Sequence, residues 1–238
     1  MAPSYRELDA SRIVATLELL CLRIEERFPG AGLAGVGREL LGLSRESARD
    51  ADSLGRPHWP VRAAVSAVII LMVATVALAI GGMVQRLLMP SQVMGFTEFV
   101  QTLEASINDL VFLGVAIFFL VSIESRIKRR LALRRLHQLR SVAHIVDMHQ
   151  LTKDPEILNS PSPDTPSSPT RQMSRQELGR YLDYCSELLA LTGKVAALFV
   201  QRFDDTAVLR SVNEIEELTN GLSRKVWQKI TLLDRATS

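Results

Sequence analysis

Three of the four histidines, His137, His144 and His149, fall within one short stretch, so they are the first residues to test for chemistry. His137, Arg140, His144 and Asp147 recur at spacings of 3, 4 and 3, which puts them on one stripe of a helix. His144 and Asp147, one turn apart, have the types and reach to share a metal ion, whereas His149 points to another face. A metal held inside a helical bundle needs further carboxylates from facing helices, and Asp183 or Glu187 would have to supply them. The segment offers neither an E-x-x-H pair nor an H-E-x-x-H motif. The expectation is a hydrogen-bonded polar face against the C-terminal hairpin or simple solvent exposure, with no metal and no cofactor.

Asn108 and Asp109 form a second polar pair, set just before an apolar run. A carboxylate at membrane depth is by default a candidate for an ion path. Here the strongly basic other end of the same run argues for placing Asp109 at the outer interface, where its charge costs little. Cys21 and Cys185 are isolated thiols on helical segments, with no CxxC spacing, and read as small buried apolar residues. The glycine-rich GAGLAGVG at 30–37 follows no strand and precedes no Lys-Ser or Lys-Thr, so it is not read as a phosphate loop. No nucleophile elbow, dinucleotide fingerprint, zinc knuckle or calcium loop is present.

The elements that carry these residues are dominated by two apolar runs. Ala63 to Val84 contains no ionisable residue, and its 22 positions span about 33 Å as a helix, against about 30 Å of bilayer hydrocarbon. Trp59 and Arg62 precede it, where an interfacial aromatic and a snorkelling cation belong. The second run, Leu110 to Ile123, is short at 14 residues and reaches a spanning length only when extended back to Ala105. The expected transmembrane helices are therefore 61–84 and 105–123, joined by an external loop, 85–104, with one cation, Arg86.

Charge sets the expected topology. Arg126, Lys128, Arg129, Arg130, Arg134, Arg135 and Arg140 follow the second run, and Arg45, Arg49, Arg56 and Arg62 precede or open the first. The positive-inside rule then places both termini in the cytoplasm. The cluster from Arg126 to Arg135 is read as a topology signal that also meets anionic lipid, not as a nucleic-acid site. The opening residues, interrupted by Glu7, Asp9, Arg12 and Glu18, do not resemble a signal peptide, which leaves that segment on the side where it is made.

Helical periodicity runs through the remaining chain. Ile13, Leu17, Leu20, Ile24 and Phe28 mark a helix closed by Pro29-Gly30, and 38–52 is expected to form a short second helix within the 1–60 segment. Ala132, Leu136, Leu139, Ala143 and Val146 form a heptad seam on a 124–156 extension of the second span. The Pro- and Ser-rich 157–173 reads as a linker. Ser174 and Glu177 then open a capping box at the start of a 174–238 helical hairpin. The first arm has two adjacent seams, one through Leu178, Leu182 and Cys185 and one through Tyr181, Tyr184 and Leu188. The second arm runs from Val208 to Leu233 and is expected to continue through Asn220-Gly221.

Composition agrees with an average over apolar and polar parts. In 238 residues, 28 Lys and Arg nearly balance 26 Asp and Glu, which argues against a nucleic-acid partner. The mean hydropathy is only +0.14 although the chain contains a long run with no ionisable residue. The expected fold class is all-α: an integral membrane helical hairpin, N-in and C-in, with a cytoplasmic three- or four-helix bundle. The expected function is that of a non-enzymatic inner-membrane adaptor or scaffold, acting on a protein partner or as a homo-oligomer within the lipid bilayer. The alternative is a small oligomeric channel or membrane-permeabilising effector gated by the bundle. Ser66, Thr75, Asn108, Asp109 and Ser122 are the few polar residues that could line its pore.

Overall fold

The computed structural model describes residues 6–88, 96–153, 155, 166 and 173–235. Every regular element among them is a helix: α1 (Ala10–Arg27), α2 (Gly32–Leu54), α3 (Trp59–Leu88), α4 (Phe96–Leu151), α5 (Arg175–Arg202) and α6 (Thr206–Arg235). The chain divides into two compact units, Met1–Arg56 with Arg129–Ser238, and Pro57–Lys128. The expected linker lies almost wholly outside the described residues.

In the first unit local side-chain and backbone signals set the helix ends. Asp9 caps α1, its Oδ1 accepting the backbone N–H groups of Ser11 and Arg12 at 2.9 and 3.3 Å. Gly30, at φ 73, takes the left-handed conformation that lets the chain reverse after Phe28. Ser174 and Glu177 form the full capping box of α5. Asp205 Oδ1 accepts from Ala207 and Val208 at the start of α6, and α6 then continues through Asn220-Gly221.

The first departure from expectation is α2. It runs from Gly32 to Leu54, where only a short helix over 38–52 was expected. Two of its glycines, Gly32 and Gly37, are sites of close approach, not breaks. A Cβ at Gly37 would lie 3.2 Å from Cys21 Sγ of α1, and one at Gly32 would collide with the His149 ring. Burying Leu33, Val36, Leu40 and Leu43, at about 1.5–3 kcal/mol for each large side chain, outweighs the loss of about 1 kcal/mol per helical glycine. The helix is set by packing that a local reading does not contain.

The order of contacts gives the bundle its directions. In α1 and α2, Glu25 pairs with Arg38 at 2.7 Å and Glu18 with Arg45 at 2.6 Å, so the helices are antiparallel. Likewise α1 opposes α5: Leu8 N–H donates to Gln201 at 3.0 Å at one end, and the Phe28 and Tyr181 rings meet at 5.4 Å at the other. The 129–151 part of α4 runs parallel to α6, since Arg129 meets Asp205, Arg140 meets Glu214, and Gln150 meets Lys229. Arg175 of α5 donates to the Leu233 carbonyl at 2.6 Å, which makes α5 and α6 antiparallel.

One apolar core joins all five helical segments of this unit, where three or four were expected. The seam Ala132, Leu136, Leu139, Ala143 and Val146 is fully buried in it, as are Leu182, Cys185, Leu188 and Leu189 from both seams of α5. Two adjacent seams need more than one neighbour. Full-length α2 supplies the extra helix.

The second unit is different in kind. Its α3 and α4 helices are long and apolar enough to cross a membrane, and their most apolar stretches bury nothing within the protein. Leu78 and Phe112 are 76% and 74% exposed. Helix α3 extends to Leu88 and α4 begins at Phe96, so most of the expected 85–104 loop is helical.

Candidate membrane-facing site and its ion pairs

Helical register decides what each cation after Ile123 does. In the second unit, Glu124 of α4 is the hub: its Oε2 accepts from Arg62 Nε of α3 at 2.8 Å. Its Oε1 lies 3.0 Å from Lys128 Nζ and accepts the His58 N–H at 3.2 Å. The hydrogen bond from Arg62 is the main reason its carboxyl titrates at about 2, with Lys128 and the His58 N–H adding to it against the opposing effect of burial. Lys128 is 8% exposed, buried beside its partner four residues back. Arg126 instead lies over the Phe119 ring, 5.3 Å from its centroid.

In the first unit, Arg129 and Arg135 are engaged by the bundle. Both Nε and Nη2 of Arg129 reach Asp205 Oδ2, at 2.8 and 2.7 Å. Arg135 donates to Asp50 and Glu46 of α2, each at 2.6 Å. Asp205 is buried, which alone would raise its pKa, yet the Arg129 hydrogen bonds and the capping N–H groups hold it below the usual value. Arg130 and Arg134 are exposed and make no ion pair among the described residues. Of the six cations from Arg126 to Arg135, then, Lys128, Arg129 and Arg135 are fixed to carboxylates. The i, i+4 spacing of Glu124 and Lys128 was a legible signal for one of these pairs. Nothing local marked the partners Asp50, Asp205 or Arg62.

The polar candidates are dispersed. His137 and His144 are exposed, and Asp147 Oδ1 accepts the Gln150 amide at 2.6 Å. His149 packs against Gly32 instead of beside His144. Among the described residues no three His, Cys, Asp or Glu gather as metal ligands. A groove of about 480 Å³ between α2 and α4 is lined by His137, Ser141, Glu39 and Glu46 over Leu43 and Val142. The Ser141 hydroxyl there donates to the His137 backbone carbonyl at 3.1 Å, not to an imidazole. Burial holds the Cys185 thiol up at about 12 and raises that of Cys21, so neither is an activated nucleophile.

Inside the apolar helices two described hydroxyls serve their own backbone, while that of Ser66 is exposed and makes no hydrogen bond among the described residues. Thr75 donates to Met72 O at 2.8 Å, and Ser122 to Phe118 and Phe119 O at 2.9 Å. Asn108 is exposed; the side chain of Asp109 lies outside those described.

No family model matches this chain, and no curated protein or solved structure is significantly similar to it.

Proposed function

We propose that this chain is a non-enzymatic adaptor anchored in the inner membrane by an α3–α4 hairpin, with both termini and the helical bundle in the cytoplasm. The observation that carries the reading is the pairing of two outward-apolar helices with a bundle that closes its own core. Apolar side chains such as Leu78 and Phe112 are stable in that state only against lipid or other apolar helices. The cation-rich segments before α3 and after Ile123 support the orientation. The Thr75 and Ser122 hydroxyls, directed at backbone carbonyls, favour an anchor over a water-filled pore.

Mild-detergent extraction from native membranes, followed by native mass spectrometry, tests this directly. A stoichiometric foreign subunit is expected. A pure higher homo-oligomer that passes ions in liposomes would replace the adaptor with the channel.

A further inference from the structure

We propose that one end of the bundle is a binding surface for anionic phospholipid headgroups, formed by Arg49, Arg130, Arg134 and Arg210. The inference rests on the membrane-anchored reading above and adds the lipid class and the residues. The end in question is where α2 finishes, the 129–151 part of α4 starts, α5 finishes and α6 starts, as the Arg129–Asp205 pair and the Gly55–Arg202 contact show. From the helical rise, all four arginines lie within about 8 Å of it along their own helix axes.

The basic residues at this end fall into two groups. Arg56 is paired with Asp52, Arg129 with Asp205, Arg135 with Glu46 and Asp50, and Arg202 lies 4.0 Å from Glu7. Arg49, Arg130, Arg134 and Arg210 are exposed and face no carboxylate at ion-pair distance among the described residues. Arg49 makes one hydrogen bond, from Nε to its own helix at Arg45 O (3.3 Å), which leaves its charge unneutralised. Asp204 is the one acid at this end that is likewise exposed and unpaired among the described residues. The opposite end also carries exposed cations outside ion-pair distance among the described residues, Arg27, Arg224 and Lys225, but there they stand with the exposed acids Glu26 and Glu177, and Arg180 pairs with Asp183.

Chain connectivity selects lipid over a soluble anion. Arg56 and Arg129, where the first unit passes to and from residues 57–128, both belong to this end. Helix α3 begins at Trp59, and the three steps from Arg56 can stretch to no more than about 10 Å. That limit applies to Arg56 itself; the four arginines stand up to about 8 Å further along their helices, about two Debye lengths in all at physiological salt. They are covalently tied to the proposed membrane anchor, so headgroup phosphates are the polyanion held at high local concentration.

The test uses the full chain in nanodiscs of phosphatidylcholine with a minor share of phosphatidylglycerol, reading the lipid retained on transfer to detergent by native mass spectrometry. Each cation near the surface favours anionic lipid by about fivefold. With screening, R49Q/R130Q/R134Q/R210Q is expected to retain at least about tenfold less phosphatidylglycerol. Lysine at the same four positions should restore most of it, which also shows that the sites tolerate substitution. Removing four cations at the other end (R27Q/R180Q/R224Q/K225Q) should leave retention unchanged, as should an excess of inorganic phosphate. Equal retention by the first variant, or an equal loss from the second, overturns the proposal while the anchor stands. Release of the unmodified chain from membranes by alkaline carbonate would overturn both.

Discussion

Arg129 and Asp205 share a two-point contact in which one carboxylate oxygen receives Nε and Nη2 of the arginine at 2.8 and 2.7 Å. The other oxygen caps α6 by accepting Ala207 and Val208 N–H. One side chain therefore sets the start of α6 and ties it to the first residue that α4 contributes to the bundle. Asp205→Ala removes both roles, and about 2 kcal/mol of stability should be lost: about 1 from the cap and a similar amount from a charge-assisted pair. Asp205→Asn retains a capping oxygen and should lose about half as much. Thermal unfolding in detergent reads the difference, at roughly 2–4 °C per kcal/mol for a chain of this size. Equal losses for the two variants would mean the cap contributes nothing.

Glu124 gives the second unit a defined acid response. Its carboxyl titrates at about 2 in the folded chain against an ordinary value of 4.5, so the folded state favours the charged form. Its contribution is complete above about pH 4.5 and is lost as the pH falls towards 2. Glu124→Gln should lower stability near neutrality and flatten the acid limb over that interval. Unfolding midpoints measured across the same pH range check this; an unchanged acid limb contradicts it.

The glycines of α2 separate packing from propensity. Gly42 has nothing within 4 Å of a Cβ position, so Gly42→Ala should stabilise the chain by about 0.5–1 kcal/mol. Gly32→Ala must displace the His149 ring and should destabilise. Gly30 also has open space around it but a φ of 73, so Gly30→Ala should cost about 1 kcal/mol through the backbone alone. If 31–60 were an irregular loop, the first two substitutions would have no opposite signs. Chemical denaturation of the three variants decides it.

Arg135 tests how much the α2–α4 ion pairs matter. It is partly exposed and bridges two carboxylates, at 2.6 Å each. A double-mutant cycle on Arg135→Gln and Asp50→Asn should give a coupling of about 1 kcal/mol. A coupling near zero would reduce the bridge to a solvated surface contact.

The thiols provide a kinetic reading of the same core. Cys185 is fully buried in α5 with its pKa pushed up to about 12, while Cys21 is half-buried against Gly37. Iodoacetamide at mildly alkaline pH should modify Cys21 slowly and Cys185 only as fast as the bundle opens. Peptide mapping over time would show one early site; simultaneous labelling of both would mean the α5 core is not closed.

Much of this protein is determined by the sequence itself, because the relevant physics is local. The 22 residues from Ala63 hold no ionisable group and only Ser66 and Thr75 as polar side chains, which makes them long and apolar enough to cross a membrane as a helix. The cap at Ser174 and the seams of α4, α5 and α6 follow from spacing over a few turns, and each matches the structure. The tertiary structure alone decided the full length of α2 and the choice among the arginines. Gly32 and Gly37 favour a loop until His149 and Cys21 fill the space they leave. Lys128, Arg129, Arg130, Arg134 and Arg135 are alike as a run of charges. They differ only once helical rotation turns Arg135 towards Asp50 and Arg129 towards Asp205, leaving Arg130 and Arg134 to solvent. Those carboxylates lie 85 and 76 residues away along the chain. Only folding brings them into range, since ion pairing falls off with distance in space and sequence spacing does not encode it.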